Sequence, residues 1–191
     1  MILETIITTQ NGLGEVHVTP FGIQVQNDLV IISPYKPSTT LNNILATQTA
    51  VMNLTDDVRV FAAALTKRTA WQLCAADKVA GQRLSNALAH QELKLLRVND
   101  DDMRPQLTMQ VVHEVNHQPF KGFNRAQAAV IELAVLVSRL KRLPMEKIIQ
   151  EMQYLQIAID KTAGPNELEA WGLLVEAVEN HQAMLAGDNL A

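Results

Sequence analysis

The residues His113-Glu114-Val115-Asn116-His117 match the H-E-x-x-H pattern of zinc hydrolases. In such enzymes a helix brings both histidines to one face, one turn apart, with the glutamate beside the metal-bound water. Here residues 108–112 have the β-rich pattern of a strand, and Pro119 follows the motif at once. A strand would instead place His113, Val115 and His117 on one face of a sheet. We therefore interpret the match as accidental and expect no metal site.

The segment Lys36–Thr40, with the sequence KPSTT, is the second group whose residue types could do chemistry. It follows a compact β-branched run, Leu29–Ser33, and precedes apolar residues whose spacing predicts a helix over residues 38–47. Hydroxyl residues at the start of a helix are common N-caps. The same place suits an anion, because free N–H groups and the positive end of the helix dipole point the same way. Two interpretations stay open at this stage: a capped turn and a phosphate cradle.

Residues for other kinds of catalysis are not evident in the sequence. No G-x-S-x-G pattern occurs, Cys74 lies in an apolar run, and Gly12 and Gly14 form only part of a dinucleotide fingerprint. A flavin carries its own redox chemistry, so a protein that binds one needs only to hold it and shape access to it. The sequence offers what such a site needs: an anion cradle at residues 36–40, a close backbone approach at Thr19–Gly22, and a β platform.

Composition sets limits on the class of protein. The chain has 191 residues, of which 48% are hydrophobic and 19% charged, with a formal net charge of −4. These values are typical of a globular protein and argue against a nucleic-acid partner, which needs a basic surface. The most apolar helical stretch, Ala126–Leu140, contains two charged residues and is too short to span a bilayer. With a single cysteine and no basic segment before the apolar N-terminus, we expect a cytoplasmic protein with no membrane partner.

The order of predicted elements changes near residue 118. Residues 1–33 predict a three-stranded meander, interrupted by a bulge or close approach at Thr19–Gly22. Residues 79–88 have some helical spacing. Further strands are predicted at Ala50–Leu54, Leu93–Val98 and Leu107–Val115, so residues 1–118 predict a small β-barrel with short helices.

Residues 119–191 predict three helices instead. They begin after Phe123, at Met145 and at Asn166, and the first is apolar almost all round, which indicates burial on more than one side. We expect this helical subdomain to pack on the barrel, on a second copy of the chain, or on both.

Five stretches of the chain, taken together, resemble the FMN-binding split-barrel superfamily, and more closely an uncharacterised branch found mainly in methanogens and methylotrophs. They are MILETIITT, VTPFGI, SPYKPSTTLNNI, VMNLTDD and GFNRAQAAVIELAVLVSRL. The resemblance implies a mainly β fold with α: a six-stranded split β-barrel followed by a C-terminal helical subdomain. It also implies a homodimer that binds FMN at or near its interface. Some members of the superfamily reduce flavins, some oxidise pyridoxine phosphate, and some only store the cofactor.

The resemblance also implies roles for particular residues. Ser38, Thr39 and Thr40 would hold the FMN phosphate with help from Lys36, the only nearby cation, whereas related loops usually include an arginine. A lysine lacks the bidentate fork of an arginine, so a lower affinity for FMN is expected. The remaining residues would line the ring through the backbone (Pro20, Phe21, Gly22), reach the ribityl chain or ring edge (Asn53, Thr55, Asp56), and close the site (Arg125).

The expected function is an FMN-binding protein that acts as a flavin reductase-like oxidoreductase on an unknown small-molecule redox partner. One alternative is a non-catalytic FMN carrier or sensing module. The other is a structural or interaction protein without a cofactor, in which the Ser-Thr-Thr turn is only a cap.

Overall fold

A computed structural model describes residues 1–69 and 71–188 of the chain. The described residues form eight strands and five helices. The strands are β1 (Ile2–Gln10), β2 (Val16–Gln26), β3 (Leu29–Ile32), β4 (Thr49–Leu54), β5 (Leu73–Ala75), β6 (Gln82–Leu84), β7 (Ala89–Asn99) and β8 (Gln106–Asn116). The helices are α1 (Thr39–Thr47), α2 (Arg59–Leu65), α3 (Arg125–Val137), α4 (Met145–Thr162) and α5 (Pro165–Asp188).

Six of the strands close into an antiparallel barrel in the order β1-β2-β3-β8-β7-β4, with β4 pairing back onto β1. This confirms the predicted six-stranded barrel and the C-terminal helices. Alternate residues of each strand point inward, as the period of a strand requires. The barrel core is built from aliphatic residues and two methionines: Ile7, Ile23, Val30, Ile32, Leu41, Ile44, Ala50, Met52, Leu93, Leu107 and Met109.

The predicted interruption of β2 at Thr19–Gly22 is wrong. The strand runs without a register shift along β1, where Pro20 lies opposite Ile6 and Gly22 opposite Glu4. Proline removes a backbone donor and is tolerated where a strand has a free edge. β2 has such an edge here, because it pairs with the short strand β3 only through its last three residues, 24–26.

Helix α1 packs into the barrel core with its apolar side. Leu41 and Ile44 belong to the core, and the Asn43 amide donates a hydrogen bond to the hydroxyl of Thr9 on β1, at 3.1 Å. The start of α1 is therefore held rigidly against the barrel by residues one turn further along the helix.

Residues 79–88 contain no helix, so the helical spacing noted there is misleading. The chain forms a hairpin, β5–β6, whose second strand contacts β1 and β4. Val79, Leu84 and Ala87 are buried, which explains their apolar character without a helical period. Cys74 is only half-buried on β5, although it lies in an apolar run of the sequence.

The described chain divides into two compact units. One contains the barrel, α1 and the β5–β6 hairpin, and comprises Met1–Asp56 and Trp71–Phe120. The other begins at Asp57 with α2 and resumes at Lys121 with α3, α4 and α5. Helix α2 thus groups with the C-terminal helices, although it precedes the predicted boundary at residue 118.

Within the helical unit, α3 contacts α2, α4 and α5, so it is covered on more than one side as its composition indicates. Its fully buried positions recur at helical spacing: Ala126, Ala129, Val130, Leu133, Ala134 and Val137. Among residues 1–69 and 71–188, no helix combines the length and the apolar character that crossing a membrane requires.

Candidate functional site

The start of α1 combines a capping side chain with backbone N–H donors that could bind an anion. The Ser38 side chain accepts a hydrogen bond from the backbone N–H of Leu41, at 3.2 Å, so the capped-turn interpretation is confirmed. Within the part of the chain that the structure describes, the N–H groups of Thr39 and Thr40 have no protein acceptor. Such free donors are normal in the first turn of a helix and make it a favourable place for an anion.

The loop before α1 is held by the β7–β8 connection. Lys36 donates its backbone N–H to the carbonyl of Met103, at 2.8 Å, and its ammonium lies 2.9 Å from Oδ1 of Asp100. The hydrogen bond and the charge of Lys36 lower the pKa of Asp100. Both side chains of the pair are substantially exposed, so the pair can exchange partners at little cost.

A second cation, Arg104, lies at the same loop. Its guanidinium is stacked 4.8 Å from the centre of the Tyr35 ring, and its Nε donates to the carbonyl of Ser33, at 3.2 Å. The sequence offers Lys36 as the only cation near the Ser-Thr-Thr turn. Arg104 comes close because β3 and β8 are paired, which the residues around position 36 do not reveal.

The backbone of Pro20, Phe21 and Gly22 forms part of the open edge of β2. The Phe21 side chain packs against the barrel core, and the carbonyl of Phe21 accepts a hydrogen bond from the Thr5 hydroxyl, at 3.2 Å. A Cβ atom on Gly22 would meet Oε1 of Glu4 at 3.0 Å. The predicted ring contacts of these residues stay predictions.

Asn53 is fully buried and its amide is used within the barrel unit. Its Nδ2 donates to the carbonyl of Ile6 at 3.1 Å, and its Oδ1 accepts from the backbone N–H of Leu84 at 2.7 Å. The side chain thereby joins β1, β4 and β6. Thr55 and Asp56 follow β4 and are half-buried. Contacts of Asn53, Thr55 and Asp56 with a cofactor stay predictions. A contact from Asn53 would have to form while its side chain keeps the hydrogen bonds to Ile6 and Leu84.

Arg125 is the exposed first residue of α3 and belongs to the helical unit. The preceding residue, Asn124, caps the helix by accepting from the N–H of Ala126 at 2.7 Å, and donates to the carbonyl of Thr162 at 3.0 Å. A role for Arg125 in closing the site stays a prediction.

The two histidines of the H-E-x-x-H match lie on or just after strand β8 and have different partners. His113 Nε2 is 3.4 Å from Oδ2 of Asp77, while His117 Nε2 is 2.9 Å from Nδ1 of His90. The rings of His90 and His117 stack with their centres 5.1 Å apart. The helical geometry of zinc hydrolases is therefore not present, as the strand pattern predicts.

Glu92 is a buried carboxylate next to these histidines. It accepts hydrogen bonds from three consecutive backbone N–H groups, of Asp77 at 2.6 Å and of Lys78 and Val79 at 2.7 Å. Burial alone would raise its pKa, but these donors and the His90 side chain stabilise the carboxylate, and the net pKa is lowered. The turn between β5 and β6 is thus anchored to β7 through one ionised side chain.

Sequence reasoning missed Asp77, His90 and Glu92 as partners of the two histidines. Strand pairing places Glu92 opposite His113 and His90 opposite Val115. The predicted strand Leu93–Val98 begins after both residues, whereas β7 begins at Ala89. The spacing of two between His90 and Glu92 puts both side chains on one face of the longer strand and was the available signal.

Two family models match the chain and together span most of it. The model described as "Protein of unknown function (DUF447) N-terminal domain" matches residues 3–118, and that described as "Protein of unknown function (DUF447)" matches residues 124–176. The chain belongs to the DUF447 family. No curated protein matches its sequence.

Solved structures share the fold of this DUF447 protein at low sequence identity. An FMN-bound DUF447 protein of Methanosarcina mazei is 20% identical, with a TM-score of 0.79, over 92% of this chain and 94% of that chain. The 2-nitrobenzoate 2-nitroreductase of Pseudomonas fluorescens is 18% identical, with a TM-score of 0.52, over 60% and 64% of the two chains. An NADH:FAD oxidoreductase of Streptomyces globisporus is 13% identical, with a TM-score of 0.51, over 60% and 70%. These likenesses confirm the flavin reductase-like split-barrel fold.

Proposed function

We propose that this DUF447 protein binds FMN and transfers electrons through it as a flavin reductase-like oxidoreductase. The observation that carries the proposal is the start of α1, where the N–H groups of Thr39 and Thr40 have no acceptor within the described chain. Thr39 is exposed there, whereas Thr40 is buried. Two cations, Lys36 and Arg104, flank the same loop. A phosphate ester is the ligand that this combination of donors and charge favours.

The comparisons support the choice of FMN among phosphate esters. The relative from Methanosarcina mazei, which matches nearly the whole chain, is described as FMN-bound. The Pseudomonas and Streptomyces neighbours of the barrel are named as a nitroreductase and an NADH:FAD oxidoreductase.

Each group of residues has a defined task in this proposal. The hydroxyls of Ser38 and Thr39 and the N–H groups at the start of α1 hold the phosphate, Thr40 contributes through its backbone because its side chain is buried, and Lys36 leaves Asp100 to pair with the phosphate. The open edge of β2 at residues 20–22 presents backbone groups to the polar edge of the ring. Thr55 and Asp56 approach the ribityl chain from the end of β4. Bound FMN supplies the redox chemistry, and the chain supplies position, charge and access.

We also propose that the protein is a cytoplasmic homodimer. Its longest helices carry large exposed apolar side chains, among them Tyr154 and Ile157 on α4 and Leu168 on α5, which a second copy would cover. Light scattering is expected to give the mass of a dimer at micromolar concentration, and a monomer mass would contradict the proposal.

The experiment that tests the cofactor is the visible absorption spectrum of the purified protein after incubation with excess FMN and desalting. We expect a flavin spectrum at one FMN per chain. Thr39→Ala, which removes an exposed hydroxyl at the first position of α1, should weaken binding, whereas Thr47→Ala at the other end of the helix should not. A protein that retains no flavin would contradict the proposal and favour the interaction-protein alternative.

Activity is tested separately on the loaded protein. Oxidation of NADH or NADPH is followed with free flavins and pterins offered as acceptors, since the natural acceptor is unknown. Turnover with any of them supports an oxidoreductase. Stoichiometric FMN with no turnover in any combination would instead identify a carrier or sensing module.

A further inference from the structure

A group of possible metal ligands lies on the outer wall of the barrel, where the turn after β5 meets β7 and β8. Asp77, Glu92 and His113 each offer one ligand atom, and these atoms all lie within 4.8 Å of one another. One residue comes from each of three separate elements of the barrel unit. An ion at their centre would therefore connect the hairpin turn to two strands.

The separation between His113 and Asp77 suits a shared ion better than a direct hydrogen bond. His113 Nε2 and Asp77 Oδ2 are 3.4 Å apart, beyond the usual range of an N–H···O bond. Two ligands of a tetrahedral zinc ion, each about 2.0–2.2 Å from the metal, are separated by about 3.3–3.5 Å. The distance between His113 Nε2 and Asp77 Oδ2 is therefore compatible with two ligands of one ion, and Glu92 offers the third ligand atom within 4.8 Å of both.

The buried member of the group is already fixed in place. Glu92 has no exposed surface, and its carboxylate is oriented by three backbone donors of residues 77–79. His90 adds a fourth contact, with Nε2 3.3 Å from Oε1 of Glu92. Ligands that are oriented in this way by neighbouring hydrogen bonds are a regular feature of protein metal sites.

The other two members leave access from outside. The Asp77 side chain is 55% exposed and that of His113 is 27% exposed. An ion can therefore enter without the barrel opening, and water can complete its coordination.

We propose that Asp77, Glu92 and His113 bind one divalent transition-metal ion of the zinc class, which fastens the turn between β5 and β6 to the barrel wall. One imidazole nitrogen with two carboxylate oxygens is a donor set that zinc accepts, and three protein ligands leave a coordination position for water. The site shares only His113 with the H-E-x-x-H match. It does not depend on FMN.

Isothermal titration of the EDTA-treated full-length protein with Zn²⁺ near neutral pH tests the proposal. We expect one ion per chain with a dissociation constant of about 10 µM or tighter, and an increase in Tm on binding. Asp77→Asn and His113→Gln should each weaken binding at least about tenfold. Both residues are partly exposed, so these variants are expected to fold, and circular dichroism checks that they do.

His181→Gln is the matched control, because it removes an imidazole from α5 in the helical unit. It should bind zinc as the wild type does. The proposal is overturned if the wild type binds zinc no more tightly than His113→Gln, or if His181→Gln loses as much affinity as Asp77→Asn. Measuring FMN-free protein keeps this outcome separate from the fate of the flavin proposal.

Discussion

The ammonium of Lys36 lies 2.9 Å from Oδ1 of Asp100, so the one cation within the Ser-Thr-Thr loop is already paired. The partner comes from the connection between β7 and β8, which also accepts the backbone N–H of Lys36 through Met103. Asp100 is therefore positioned to compete with an anion for the same charge.

Removal of Asp100 is expected to tighten FMN binding. In Asp100→Asn the ammonium of Lys36 no longer has a carboxylate partner, and the local charge becomes more positive. Because the pair is exposed and screened by solvent, we expect only a modest increase in affinity, of about two- to fivefold. Fluorescence titration of FMN measures it, with Asp102→Asn as control.

Lys36→Met completes that comparison and should weaken binding of FMN in both the wild-type and the Asp100→Asn background. If Asp100→Asn binds FMN as the wild type does while Lys36→Met also has no effect, Lys36 does not contact the phosphate.

Substitutions of Ser38 distinguish its role as the N-cap of α1 from its proposed role in binding the FMN phosphate. Ser38→Ala should lower the free energy of unfolding by about 1 kcal/mol, whereas Ser38→Gly should lower it by only a few tenths, because glycine is an acceptable N-cap. Both variants lose the hydroxyl. If it contacts the phosphate, both should weaken FMN binding about tenfold or more, since a hydrogen bond to a charged group is worth about 1.5–3 kcal/mol. Ser38→Gly with wild-type affinity would show that the hydroxyl is a cap alone.

Local features of the sequence predicted most of the barrel. The strands around Ile7, Met52 and Met109 follow from β-branched and alternating patterns, and the cap of α1 follows from Ser38 before an apolar helical spacing. Pro20 misled the prediction because its tolerance in a strand depends on whether the neighbouring strand reaches that far, which is a property of the whole sheet.

Contacts between residues far apart in the sequence could not be predicted from local patterns. The β5–β6 hairpin has strands of only three residues, too short for a period to be recognised. Asp77, Glu92 and His113 are separated by 15 and 21 positions, and Arg104 reaches Ser33 across 71 positions. Only the register of the barrel brings these groups together.

The Glu92 carboxylate is expected to stabilise the barrel unit. Glu92→Gln replaces one acceptor oxygen by an NH₂ group, so at least one of the three backbone N–H groups of residues 77–79 loses its partner. A buried unpaired donor costs about 1–3 kcal/mol, and we expect the free energy of unfolding to fall by that amount. Urea denaturation of metal-free protein measures it.

Glu114→Gln is the matched control for that substitution, because Glu114 is exposed on the neighbouring strand and bonds only to the amide of Gln91 in the part of the chain described. It should change the free energy of unfolding by less than about 0.5 kcal/mol. Equal effects of the two variants would mean that the backbone donors do not depend on the Glu92 carboxylate.

His117 makes the stability of the protein depend on pH in a defined direction. Partial burial lowers its pKa, and the nearby charges of Arg83 and His90 lower it further. The folded chain therefore binds this proton more weakly than the unfolded chain, in which the pKa of histidine is about 6.5. The free energy of unfolding should be highest above about pH 6.5 and should decline as the pH falls below it.

The contribution of His117 is measured by denaturing the wild type and His117→Gln in urea near neutral pH and about one to two units lower, within the range where histidine titrates. The wild type should lose more stability on acidification than the variant. His17, whose pKa burial also lowers, adds the same loss to both proteins, so the difference between them isolates His117. Equal losses would mean that His117 is protonated as readily in the folded barrel as in the unfolded chain, and that its stacking on His90 places no charge-dependent constraint on this face.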